Sequence, residues 1–221
     1  MKVSRVQSPI RQQTVSNLRN AIVEGHFKPG ERLLEKELCR LTGVSRTSIR
    51  ESLRQLEAEG LIKVIPNKGP VVATVTIDEA RDLYEVRQVL EGLACRLFAE
   101  KGDLSQITAL TQTLDRLGEF IRKGVIQSVL EAKNDFYNII LQGCGNTFIH
   151  PLLKSLHARI AFLRSLSLSQ PGRPVESLSE IKCIVEAIQK RDPAAAWEAS
   201  VNHVRKAQEV VIKALSDMQG M

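Results

Sequence analysis

Between positions 45 and 50 the chain reads Ser-Arg-Thr-Ser-Ile-Arg, two arginines four apart with three hydroxyls beside them. An arginine fork can hold the O6 and N7 of a guanine, and hydroxyls bond phosphate oxygens or base edges. On the first turn of a helix these side chains would reach into a major groove, and the helix N-terminus itself would favour phosphate. At helical spacing Arg46 and Arg50 share a face, opposite Ile49 and Leu53. Asn67, Lys68 and Gly69 lie between two prolines in a short basic loop, thin enough for a minor groove. Lys36 precedes the first cluster, where a backbone phosphate contact is expected; an ordinary surface lysine is the equal alternative. A run of charge is usually just a solvated face. The elements around this one are what favour DNA.

A third group lies far along the chain on stripes that are otherwise apolar. Arg87 and Glu91 fall among Ala80, Leu83, Tyr84, Leu90 and Ala94. Lys133 and Tyr137 fall among Val129, Phe136 and Ile140, and His203 falls among Ala196, Ala199, Ala207 and Val210. Buried charge is costly unless paired. The spacing allows a structural Arg87–Glu91 pair with a hydrogen-bonded histidine. It also allows an anion pocket built from Arg87, Lys133, Tyr137 and His203, and the pocket is the favoured reading. Arg159 and Arg164 sit on an ambiguous stripe from which one could face the same interior, and Trp197 is expected to pack the core.

The elements that must carry these groups read as follows. Residues 11–24 form an amphipathic helix on Val15, Leu18, Ala21 and Ile22, stopped by Gly25. A turn at Pro29-Gly30 leads to a short helix with Leu34, Leu38 and Leu41 at its core positions. Thr42-Gly43 breaks it, and Ser45 caps a helix that runs to about Glu59, buries Ile49, Leu53 and Leu56 and closes at Gly60. Two β-like runs, 61–65 and 71–75, flank Pro66–Pro70 as a hairpin. Residues 1–75 thus spell a winged helix-turn-helix. From Thr76, whose capping-box partner is Glu79, the pattern is helical throughout: 76–101, 104–123, 126–142, 147–168, 175–190 and 193–217, with Gly143 among the breaks and Asp192-Pro193 opening the last. The fold class is mainly α, with residues 76–221 an antiparallel bundle.

Charge supports this division. Residues 1–75 hold 13 Lys and Arg against 7 Glu, and the remaining residues hold 18 against 18, so the whole net charge of +6 lies in the first third. One basic and one neutral module imply a polyanion partner for the first alone. The start of the chain lacks an apolar signal-peptide core, and no run is long enough to span a bilayer, so a cytoplasmic protein is expected. The four cysteines, at 39, 95, 144 and 183, suggest reduced, mostly buried thiols. No Ser/His/Asp order, Gly-rich phosphate loop or paired carboxylates with a base emerges, so no enzyme is expected.

The stretch LRNAIVEGHFKPGERLLEKELCRLTGVSRTSIRESLRQLEAEGLIKVIPNKGPVV resembles the GntR family of transcription regulators. That resemblance implies DNA contacts from Lys36, Arg46, Thr47, Ser48, Arg50 and the wing around Lys68-Gly69. LYEVRQVLEGLACRLFAEKG, then Phe136 with Asn146 ten residues on, then SEIKCIVEAIQKRDPAAAWEASVNHV resemble the FadR-type subfamily and its helical FCD domain, over about 77–215. Such domains bind a metal ion or a small organic acid. The resemblance places the metal-ligand positions on Lys133, Tyr137, Ile181 and His203, of which only His203 is a ligand type. Asp135 lies on another helical face. A lost metal site, with Lys133 supplying the positive charge, is expected, and with it a carboxylate or phosphate effector. One recognition helix reads only a few base pairs and a dyad doubles the reading, so a homodimer on a palindromic operator is expected, and a repressor released by its effector. A metal-responsive or ligand-free architectural DNA-binding protein is the alternative. The chain is too short for the aminotransferase-like domain of larger relatives, and its helical second half disfavours the β-containing sugar sensors.

Overall fold

The computed structural model describes residues 9–23 and 25–219, without the side chains of Pro9, His157 and Gln219. Residues 1–8 and Glu24, included in the expected first domain, lie outside the described residues. The chain forms two compact units, residues 1–74 with 156–162 and residues 75–155 with 163–221.

In the first unit α1 (Pro9–Val23) buries Val15, Leu18 and Ile22 against α3 (Arg46–Ala58), which answers with Ile49, Leu53 and Leu56. Two ion pairs tie these helices, Arg11 to Glu51 at 3.1 Å and Arg19 to Glu59 at 2.8 Å. Between them lies α2 (Glu35–Thr42), whose inward residue is Leu38 alone. The expected core role of Leu34 and Leu41 is corrected: they are 46 % and 57 % exposed, and Leu33 is buried instead. The reason is that Leu34 is the extended residue before the helix, which turns its predecessor inward, and eight residues give barely two turns. Gly43, at φ 71°, ends α2. Ser45 then caps α3, its hydroxyl accepting the Ser48 N–H at 3.3 Å.

The wing pairs β1 (Ile62–Ile65) with β2 (Gly69–Val72), Ile62 opposite Val72 and Ile65 opposite Gly69. Pro66 and Asn67 (φ 62°) make the tip, with the Lys68 N–H donating to the Ile65 carbonyl at 3.1 Å, as in a type II turn. The turn at Pro29-Gly30 also feeds the sheet. Arg32 bridges Val71, Leu33 donates to the Pro70 carbonyl and Val72 donates to that of Glu31. β2 stops at Val72, short of the expected Val75, because its partner strand begins only at Ile62.

The second unit is helical: α4 (Ile77–Lys101), α5 (Leu104–Lys123), α6 (Ile126–Gly143), α7 (Ile149–Leu168), α8 (Arg173–Gln189) and α9 (Pro193–Gln219). Residues 156–162 of α7 group with the first unit. Capping boxes start α4 (Thr76 with Glu79) and α5 (Asp103 with Gln106), and the Asp192 carboxylate caps α9 through the Ala195 N–H. The bundle packs α4 and α8 on α9 and α5 on α6 and α8, around Phe98, Leu110, Leu117, Phe136 and Ile184. The break expected at Gly143 begins one residue later, at Cys144. Gly143 is the last residue of α6, and a Cβ there would strike the Phe98 ring. α8 starts two residues earlier than expected because Gly172 (φ 78°) turns the chain and Pro174 suits a first turn. In α9 the inward positions are Ser200 and Val211 rather than Ala199 and Val210. Of the cysteines only Cys95 and Cys144 are buried, Cys39 is half-buried and Cys183 is exposed. Among the described residues no helix is long and apolar enough to cross a membrane.

Candidate functional site

At the mouth of α3, Ser45, Arg46, Thr47 and Arg50 are exposed, while Ser48 is half-buried. The two serines are engaged with each other: their hydroxyls lie 3.0 Å apart, and the Ser48 carbonyl accepts the Ser52 hydroxyl at 2.8 Å. Capping therefore occupies Ser45, and Arg46 and Thr47 are left as the freer groups on this turn. Arg50 is 64 % exposed, but its Nε donates to both carboxylate oxygens of Glu35, at 2.8 and 3.0 Å. Lys36 is exposed on α2, Asn67 and Lys68 at the wing tip, and Gly69 is partly covered as the first residue of β2. This unit thus shows an exposed helix N-terminus bearing Arg46 and Arg50 and, separately, a basic hairpin tip.

The second unit buries its polar chemistry. Arg87, Lys133, Tyr137 and His203 are all inside, as is Glu91. Arg87 donates to Glu91 at 2.7 Å and lies over the Tyr84 ring. Lys133 donates to the Ser177 hydroxyl at 2.8 Å, and its Nζ lies 3.4 Å from Nε2 of His203. The other ring nitrogen, Nδ1, is 2.6 Å from Glu180. Glu180 in turn takes a two-pronged bond from Arg173, 2.7 Å on each prong. Arg164 of α7 bonds Asn134 and lies 4.7 Å over the Tyr137 ring. Four buried basic side chains, Arg87, Lys133, Arg164 and Arg173, thus face two buried carboxylates, Glu91 and Glu180, with the exposed Glu176 3.5 Å from Arg173. The Tyr137 hydroxyl, Arg87 Nη1 and Arg164 Nε have no hydrogen-bond partner among the described residues.

These surroundings set the protonation states. Burial, reinforced by Arg164, Arg173 and Arg87, holds the Lys133 ammonium well below the usual lysine range. Burial and the Lys133 charge push His203 down to about 4, against the pull of Glu180. The hydrogen bonds agree: a neutral ring gives Nδ1–H to Glu180 and accepts from Lys133 at Nε2. Burial raises the Glu180 carboxyl, but the bonds from His203 and Arg173 outweigh it and hold it at about 2. Burial followed by Glu91 pushes the Tyr137 phenol well up, so it remains a hydrogen-bond donor.

These residues do not fit a metal ion. The ring nitrogen that a cation would take faces an ammonium, and among the described residues no three His, Cys, Asp or Glu side chains converge. Asp135 is half-exposed and paired with Arg116.

Sequence spacing brought Arg87, Glu91, Lys133, Tyr137 and His203 together and missed Arg173, Ser177 and Glu180. Arg173 precedes the helix expected from 175, although Gly172-Arg173-Pro174 is a helix-start signature that places it in α8. Glu180 stands two turns after Arg173 on the same helix, a spacing visible only once Arg173 is placed in α8, and its other partner lies 23 residues away. Of the two α7 arginines left open, Arg164 is buried and Arg159 exposed.

Residues 10–72 match the family described as "Bacterial regulatory proteins, gntR family", and residues 82–206 match the FCD domain. The chain is 29 % identical over 197 residues to the uncharacterised HTH-type transcriptional regulator YdhC of Bacillus subtilis, covering 89 % of this chain and 88 % of that one. It is 28 % identical over 203 residues to the HTH-type transcriptional repressor RspR of Escherichia coli, covering 92 % and 89 %. The solved structure of E. coli McbR/YncC has the same fold, with a TM-score of 0.80 at 20 % identity over 94 % of this chain and 99 % of that one.

Proposed function

The chain belongs to the gntR family of bacterial regulatory proteins and carries an FCD domain; from this premise we propose that it is a repressor whose helical unit binds a small carboxylate or phosphate, without a metal, and thereby releases DNA. It is a DNA-binding transcription regulator, and the exposed α3 N-terminus is the part that reads base edges. Lys36 and the wing tip would add phosphate and minor-groove contacts. We place it in the cytoplasm, where its operator is.

The observation that carries the effector reading is the imbalance inside the bundle, three buried arginines and a lysine against two buried carboxylates, with a phenol hydroxyl left unpaired beside them. A buried positive excess costs stability until an anion compensates it. Lys133 and Arg87 would supply charge-assisted bonds, with Tyr137 and His203 adding polar contacts. An acid bound there would bias the packing of the helices that carry these groups, and so the spacing of two winged helices in a dimer. The dimer itself is proposed on the outward stripe of α4, where Val86 and Val89 are 45 % and 55 % exposed beside Leu90 and Leu93. One recognition helix reads too few base pairs alone, and a dyad doubles them.

The test is a thermal-shift panel of mono- and dicarboxylates and phosphates on metal-analysed protein. A stabilising acid should release operator DNA. Lys133→Met should abolish the shift, leave basal DNA binding nearly unchanged and raise the stability of the ligand-free protein by about 1 kcal/mol, because an uncompensated buried charge is gone. One zinc, nickel or manganese per chain, or an unchanged acid response in the variant, would overturn the pocket. Sedimentation of the operator-binding form as a monomer would overturn the dimer.

A further inference from the structure

The helical unit's polar interior, the grooves along α1 and α5, and the α4 stripe are either absorbed by the proposed function or lack anything that says what would cover them. The contact that remains unused is the one between Glu35 and Arg50, an acid placed on the surface that is meant to meet a polyanion.

We propose that Glu35 is a positioning residue that determines DNA specificity: its carboxylate grips Arg50 by Nε and aims the guanidinium's other two nitrogens at a guanine. Both Glu35 oxygens lie on Nε, at 2.8 and 3.0 Å. Among the described residues no hydrogen bond engages Nη1 or Nη2, and the side chain is 64 % exposed. A guanidinium carries five N–H groups in a rigid plane. With Nε held, the remaining fork is the one that fits guanine O6 and N7. The fixed plane also means that less freedom is lost when the base is met.

Glu35 stands at a helix end. It occupies the first position of α2, whose preceding residue, Leu34, provides no side-chain cap. The free amides of that helix end favour a carboxylate there. The acid thus sits on one helix and orients a side chain on another. Its charge has a second effect: it repels phosphate, which weakens binding to every sequence alike. An acid that only repelled or only satisfied the helix end would leave base preference untouched, and this difference is what an experiment can read.

The inference rests on α3 entering the major groove, and the test separates the two. The full-length protein is used to select an operator from random duplexes. Wild type, Glu35→Gln, Glu35→Asp and Arg50→Ala are then titrated against that operator, its single-base variants and unrelated DNA. Arg50→Ala should erase the preference for guanine at one base pair. Glu35→Gln should lower discrimination at that same base pair about tenfold, while binding to unrelated DNA tightens. Glu35→Asp should restore part of the discrimination. If Glu35→Gln tightens binding to all sequences by one factor, or alters preference at a different base pair, the positioning role is wrong. If Arg50→Ala leaves every base preference intact, the reading of α3 fails first and the inference falls with it.

Discussion

Arg46, Arg50 and Lys68 in the first unit stand in solvent, whereas Arg87, Lys133, Arg164 and Arg173 in the second are shut away from it. The same side-chain chemistry meets opposite economics in the two places. An exposed cation costs the fold little and keeps its charge available for a partner that arrives from outside. A buried cation is costly unless neighbours compensate it, so its partners are part of the folded structure. Glu35 in the first unit and Glu180 in the second show the contrast. One acid touches a cation that stays mostly hydrated, and the other joins two interior groups.

The largest test of this contrast is Glu180→Ala. It strands His203 and leaves Arg173 only the exposed Glu176, 3.5 Å away, and should destabilise the fold by about 3 kcal/mol in denaturant unfolding. Arg46→Ala and Arg50→Ala in the first unit should leave unfolding within experimental error. If Glu180→Ala costs no more than an exposed substitution, the buried network does not matter to stability.

Acid should separate the units next. His203 ionises near 6.5 in an unfolded chain and at about 4 here, so below pH 6.5 the unfolded state binds a proton that the folded state refuses. Stability is therefore lost as pH falls from 6.5 towards 4, by at most about 1.4 kcal/mol per pH unit from this ring. Glu180, held down to about 2, adds a second loss between its usual 4.5 and that value. Stability measured by urea unfolding across this range should show both stages, and His203→Gln should remove the upper one. An upper stage that survives the substitution would assign it to another group.

The smallest effect belongs to the wing. Lys68→Ala should reduce the salt dependence of DNA binding by about one counterion and weaken all sequences similarly. A loss confined to one operator position would instead make Lys68 a base reader.

What could be read from the chain follows the same division. Ser45 as a cap, the Thr76–Glu79 box, and Ile49 with Leu53 and Leu56 are local facts, determined within a turn or two of helix. They came out where spacing put them. Leu34 and Leu41 did not, because a two-turn helix has too short a pattern to fix its phase. Arg87 and Glu91, four apart on one helix, could be paired from spacing alone. The partnership of Lys133 with Ser177, and of His203 with Glu180, joins residues 44 and 23 apart, and only the packing of α6, α8 and α9 creates it. The contact of Glu35 with Arg50 joins residues 15 apart on two helices, and only the packing of α2 on α3 creates it.

The segment before α2, bridged to β2 at Arg32, gives the hairpin a fixed root. Residues 30–33 hold β2 from Pro70 to Val72, so the part that projects unsupported begins at Gly69 and turns at Asn67. The hairpin is a short ruler clamped at one end, and the number of residues beyond the clamp sets how far Lys68 reaches. A strand advances about 3.4 Å per residue and alternates its faces. Lengthening both strands by two residues would move the lysine outward by about 7 Å without turning it over, whereas adding one to each would rotate it to the opposite side of the ribbon.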